Sequence, residues 1–99
     1  MRKILGYLDL IEEEINGSRE YAEKYIEYKA VGNMTWADRF KEMSNDKLKI
    51  SNWIHELTVT EIQQIKTVYT PTFDIQELWD KKCKKYVEEI ALIKQMLSM

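Results

Sequence analysis

The stretch SNDKLKISNWIHEL, residues 44–57, places hydrophobic side chains at spacings of three and four residues. Ile50, Ile54 and Leu57 therefore fall on one face of an α-helix. The row extends in both directions, and its members are Trp36, Phe40, Met43, Lys47, Ile50, Ile54, Leu57, Glu61, Ile65 and Val68. We predict one helix over residues 35–69, about 50 Å long at about 1.5 Å per residue, with this row buried.

A similar row precedes it and predicts a first helix over residues 3–31. Its members are Ile4, Leu8, Ile11, Ile15, Ser18, Ala22 and Tyr25. Gly17 and Ser18 fall within the row, either because another helix approaches closely there or because the helix breaks at Gly17; we favour a continuous helix. Gly32 is suited to end it, and Thr35 is suited to cap the second helix.

A capping motif, FDIQEL at residues 73–78, predicts a third helix over residues 74–98, with Asp74 as the cap and Glu77 reaching back to it. The hydrophobic residues expected to be buried in this helix are Leu78, Trp79, Cys83, Tyr86, Val87, Ile90, Ile93 and Leu97. Both connections are short, so consecutive helices should pack antiparallel. The expected fold is all-α: an antiparallel up-down-up bundle of three long helices, forming one domain over residues 1–99.

The composition limits the classes of partner. With three glycines and one proline in 99 residues, the chain suits long helices better than a sandwich or barrel. No apolar run is long enough to span a bilayer, no signal-peptide pattern is present, and Cys83 is the single cysteine. These features predict a cytoplasmic protein without a membrane partner.

A net charge of −2 gives no general attraction to nucleic acid. The one basic cluster is KKCKK, residues 81–85, and Glu77, Asp80, Glu88 and Glu89 lie close to it in the sequence. We interpret the cluster as a solvated helix face, with a nucleic-acid-binding surface as the weaker alternative.

Two charged residues, Lys47 and Glu61, interrupt the hydrophobic row of the second helix. Either their stems cover the core while the charged ends reach water, or they mark a polar layer between helices. The candidate partners of Lys47 are Glu14 and Glu20 of the first helix; Asp80 and Glu88 are less certain, because the register of the third helix is not determined.

No nucleophile and base can be paired from the sequence, so no catalytic residues are expected. His55 is the single histidine and is interpreted as a boundary residue. Tyr21, Tyr25 and Tyr28 lie on one side of the first helix and could seal a core edge or a subunit contact. Trp53, offset from the buried row, is a candidate interface residue.

The segments YAEKYIEYKA and WADRFKEMSNDKLKISNWIHEL together resemble the first helix pair of ferritin-like and rubrerythrin-like proteins. The closer similarity is to small ferritin-like proteins encoded by phages and prophages of Gram-positive bacteria. Their second helix carries Ser-x-x-Glu-x-x-His followed by Leu-His, and their third carries Asp-x-x-His. Ser44, His55 and Asp80 match this pattern. Three metal-ligand positions do not, since Lys47 replaces the glutamate and Ile50 and Cys83 replace histidines.

The resemblance implies a metal site that has lost its ligands, in which Lys47 could replace the metal's charge. The expected function is a non-enzymatic helical interaction or structural module of phage or prophage origin, without a cofactor. The family's bundle has four helices, so a homodimer, or another protein, could complete the packing of three. The alternative is a metal-binding protein or oxidoreductase of ferritin-like type that uses a non-standard ligand set: Glu14, Glu20, His55, Asp80 and Cys83.

Overall fold

The computed structural model describes residues 2–68 and 73–99, and these ranges form three α-helices without a strand. Helix α1 spans Arg2–Ala30, α2 spans Met34–Val68 and α3 spans Phe73–Leu97. The all-helical fold is therefore confirmed, with helix bounds close to those expected. The side chains of residues 66–68 and 73–74 are not described either. The capping motif at Asp74 and the helix end at Pro71 therefore lie outside the described residues.

The buried face of α1 is the one that the hydrophobic row predicts. Its buried residues are Ile4, Leu8, Ile11, Ile15, Ser18, Ala22 and Tyr25. The helix runs without a break through Gly17, so the alternative of a helix break there is wrong. Every residue of the row is buried because one stripe of an α-helix can face the core along its whole length.

Helices α1 and α2 meet at two serines, Ser18 and Ser44, which are both fully buried. The Ser18 hydroxyl donates to the backbone carbonyl of Ser44 at 2.9 Å, and the Ser44 hydroxyl donates to the carbonyl of Ser18 at 2.8 Å. A side chain that bonds to the backbone of the opposite helix requires the two helices to lie close together. The small residues at this point of α1 are explained by that approach.

The turn between α1 and α2 is built on Gly32 and Asn33. Gly32 has a φ of +79°, the left-handed conformation that ends many helices, as the sequence predicts. The Asn33 side-chain oxygen accepts a hydrogen bond from the backbone N–H of Trp36 at 3.3 Å. Asn33 rather than Thr35 therefore caps α2, because α2 begins at Met34, one residue before the predicted cap.

The buried face of α2 differs from the predicted row. It is formed by Ala37, Ser44, Leu48, Ser51, Ile54, Thr58 and Ile62. Ser51 donates to the carbonyl of Leu48 at 2.7 Å and Thr58 to that of Ile54 at 2.7 Å, so both hydroxyls are satisfied within the helix. The prediction of buried Trp36, Met43 and Ile50 is wrong, because the buried face runs instead through Ala37, Ser44 and Ser51, each one residue later in the sequence.

Those larger side chains lie instead along an exposed edge of α2. We call Trp36, Met43, Ile50 and Trp53 the exposed α2 row; their exposed fractions are between 38% and 61%. Trp36, Met43 and Ile50 are spaced by seven residues, which keeps them on one edge over four helical turns. The row is an apolar strip whose members all keep at least 38% of their surface exposed.

Helix α3 packs mainly against α1. The Tyr86 hydroxyl is buried and donates to the carbonyl of Leu8 at 3.2 Å, and burial raises the pKa of Tyr86. Lys82 Nζ lies 2.6 Å from Glu12 Oε1. Val87 was predicted to be buried, which is wrong, because it lies on the side of α3 that faces away from α1. Within the described ranges, none of the helices is both long and apolar enough to cross a membrane.

Replacement of Ser18 by leucine tests the close approach of α1 and α2. We expect Ser18→Leu to lower the free energy of unfolding by about 2–3 kcal/mol, because it removes hydrogen bonds and forces the helices apart. Urea denaturation followed by circular dichroism measures the change. The matched control is Asn45→Leu, at an exposed position next to Ser44, with an expected change within about 0.5 kcal/mol. Equal losses in the two variants would contradict the close approach.

Candidate functional site

Lys47 lies against α1. Its Nζ is 3.1 Å from Glu14 Oε2, and the Lys47 and Glu14 side chains are 34% and 17% exposed. The stem of Lys47 passes over Gly17, where an added Cβ would lie 3.4 Å from Lys47 Cε. Gly17 therefore leaves room for the lysine stem to reach Glu14 without displacing either helix.

The contact between Lys47 and Glu14 is an ion pair at the edge of the α1–α2 contact. No donor in the described part of the chain makes a well-aligned hydrogen bond to the buried Oε2 of Glu14, so Lys47 neutralises it by proximity. The contact with Glu14 raises the pKa of Lys47, and partial burial, which lowers it, is the smaller effect. Lys47 is consequently held as an ammonium at neutral pH, a state that cannot bind a metal ion.

Two other predicted site residues near Lys47 do not join this pair. Ile50 belongs to the exposed α2 row. Glu20 is exposed and lines a shallow surface depression together with Gly17, Tyr21 and Lys47. The structure thus selects Glu14 over Glu20 as the partner of Lys47.

A second polar contact lies between α2 and α3. His55 Nε2 is 3.5 Å from the sulfur of Cys83, and the His55 ring centroid is 4.8 Å from that of Trp79. Burial raises the pKa of the Cys83 thiol, with a smaller contribution from the charge of Asp80. Cys83 is therefore a protonated thiol at neutral pH, and it serves as a polar partner of His55 as well as a packing residue.

The five residues of the non-standard ligand set do not converge at one place. Glu14 lies against Lys47, His55 meets Cys83, and the exposed Asp80 accepts a hydrogen bond from Gln76 at 2.9 Å. Within residues 2–68 and 73–99, no three histidine, cysteine, aspartate or glutamate side chains converge as metal ligands would. The His55–Cys83 pair brings two donors together, whereas a structural zinc site takes four.

Aromatic side chains gather where α1 ends and α2 begins. The rings of Tyr28 and Phe40 are stacked at 5.4 Å, and Tyr21 and Trp36 lie 5.9 Å and 6.1 Å from Phe40. Tyr25, predicted with Tyr21 and Tyr28 as an interface candidate, is buried in the core. This aromatic cluster adjoins the exposed α2 row through Trp36.

The structure also shows what sequence reasoning missed. Met43 and Trp36 were assigned to the core, yet they belong to the same exposed strip as Trp53, the predicted interface residue. The sequence feature that indicates this is a pair of parallel rows, each with a spacing of seven residues. Trp36, Met43 and Ile50 form one row, and the small and hydroxyl residues that directly follow them form the other. Two adjacent rows on one helix indicate two contact faces, one against α1 and one unoccupied.

No protein-family model matches the chain, and neither the curated proteins nor the solved structures contain a significant match. The class that the fold defines is an all-helical protein of three long helices. The features that carry functional information are therefore this chain's own: the Lys47–Glu14 ion pair, the His55–Cys83 contact and the exposed α2 row.

A double-mutant cycle tests the Lys47–Glu14 pair. We expect Lys47→Met to cost about 1–2 kcal/mol of stability at pH 7, because it leaves a mostly buried carboxylate without its cation. The cost is moderate because Lys47 is one-third exposed, which weakens the interaction. Glu14→Leu combined with Lys47→Met should recover most of the loss, whereas Lys49→Met, at an exposed position of α2, should change little. Unchanged stability of Lys47→Met would contradict a compensating pair.

The pH dependence of this cost has a definite sign. Because the pKa of Lys47 is raised in the folded state, its contribution is complete at neutral pH, below the ordinary lysine pKa of about 10.4. It is lost as the pH rises through the raised value. The stability difference between the wild type and Lys47→Met should therefore shrink only under strongly alkaline conditions, measured by urea denaturation at each pH.

Proposed function

We propose that this chain is a helical interaction module that acts by self-association, not an enzyme, and that its docking surface includes the exposed α2 row. The observation that carries the proposal is the row itself: four large hydrophobic side chains along one edge of a helix, exposed by 38% to 61%. Contiguous apolar strips on a monomer commonly mark protein interaction sites. Two of the four are tryptophans, which are enriched at such sites.

We further propose that the helices form the antiparallel up-down-up bundle expected from the short connections. Contacts at the two ends of the hairpin support it: Lys3 Nζ lies 3.7 Å from Glu61 Oε1, and the Tyr28 and Trp36 ring centroids are 6.3 Å apart. For α3, support comes from Lys82 beside Glu12 at 2.6 Å and Glu89 beside Arg19 at 2.8 Å. Residue numbers increase in the same direction along α1 and α3 between these two pairs, so the two helices run parallel. In this arrangement the exposed α2 row remains an uncovered side of the bundle.

A ferritin-like ancestry, with an origin in a phage or prophage, remains a proposal based on the resemblance. It is supported by the position of Lys47, which faces a glutamate of the preceding helix, as a metal-binding glutamate would face its counterpart. In this interpretation the ammonium of Lys47 supplies the positive charge that a metal ion would contribute. The degenerate site then stabilises the helix pair and performs no chemistry.

The two competing functions have weaker support. A metal-binding role would depend on His55 and Cys83, whose Nε2 and Sγ atoms lie 3.5 Å apart and are both potential metal ligands. A nucleic-acid-binding role would rest on the lysines of residues 81–85, one of which, Lys82, is already paired with Glu12. Neither arrangement accounts for the exposed α2 row.

Sedimentation equilibrium over a wide concentration range tests the proposed function. We expect the mass to rise with concentration from that of one 11.9 kDa chain to that of a dimer. Ile50→Lys should weaken the association by at least about tenfold, because it places a charge in the apolar strip. The matched control is Val87→Lys, which changes an exposed β-branched side chain of α3 and should leave the association unchanged. A single-chain mass at every concentration would reject the proposal.

A further inference from the structure

We draw no further inference here: the strongest candidate, the open apolar groove beside the C-terminal half of α3 that Leu92, Ile93, Met96 and Met99 line, carries nothing, because nothing in the described part of the chain shows what covers it.

Discussion

The close approach of α1 and α2 at Ser18 and Ser44 is the constraint on which the rest of the structure depends. Each hydroxyl donates to the backbone carbonyl of the other helix, at 2.9 Å and 2.8 Å. Backbone carbonyls of a helix are already occupied by its own ladder, so these additional bonds are possible only where the two backbones lie near each other. A neighbouring glycine in α1 and small residues in α2 maintain that distance along the contact.

This constraint determines where the large side chains of α2 lie. Since the buried face of α2 runs through Ser44, the side chains of Trp36, Met43 and Ile50 lie at its edge, where they belong to the exposed α2 row. On the edge between the helices, Gly17 leaves space for the stem of Lys47, which reaches Glu14. The Lys47–Glu14 ion pair and the exposed α2 row thus both follow from the way in which α1 packs against α2 at Ser18 and Ser44.

The sequence predicts the three helices well. It predicts the buried face of α1 correctly and that of α2 incorrectly. Helix α1 could be predicted residue by residue because its buried positions are mostly aliphatic, and the one serine lies within a continuous apolar row. Helix α2 could not, because Ser51 and Thr58 are polar by composition, yet each bonds to a carbonyl of its own helix and is buried without penalty. Hydrophobic periodicity in α2 therefore predicts burial of the edge that carries Trp36, Met43 and Ile50, which is exposed. Similarly, Glu14 could be proposed as the partner of Lys47 from the sequence, while the His55–Cys83 contact depends on the register of α3, which no local pattern specifies.

The Lys47–Glu14 ion pair has a consequence for the surface around it. A carboxylate cluster without a metal ion would carry several negative charges, and two such surfaces would repel each other when brought together. With Lys47 beside Glu14, the same position carries no net charge and requires no bound ion. A neutral pair next to an apolar strip adds no net charge to that surface. Neutralisation of Glu14 by Lys47 would thus favour the self-association proposed above, because a compensated charge does not repel a second copy of the chain.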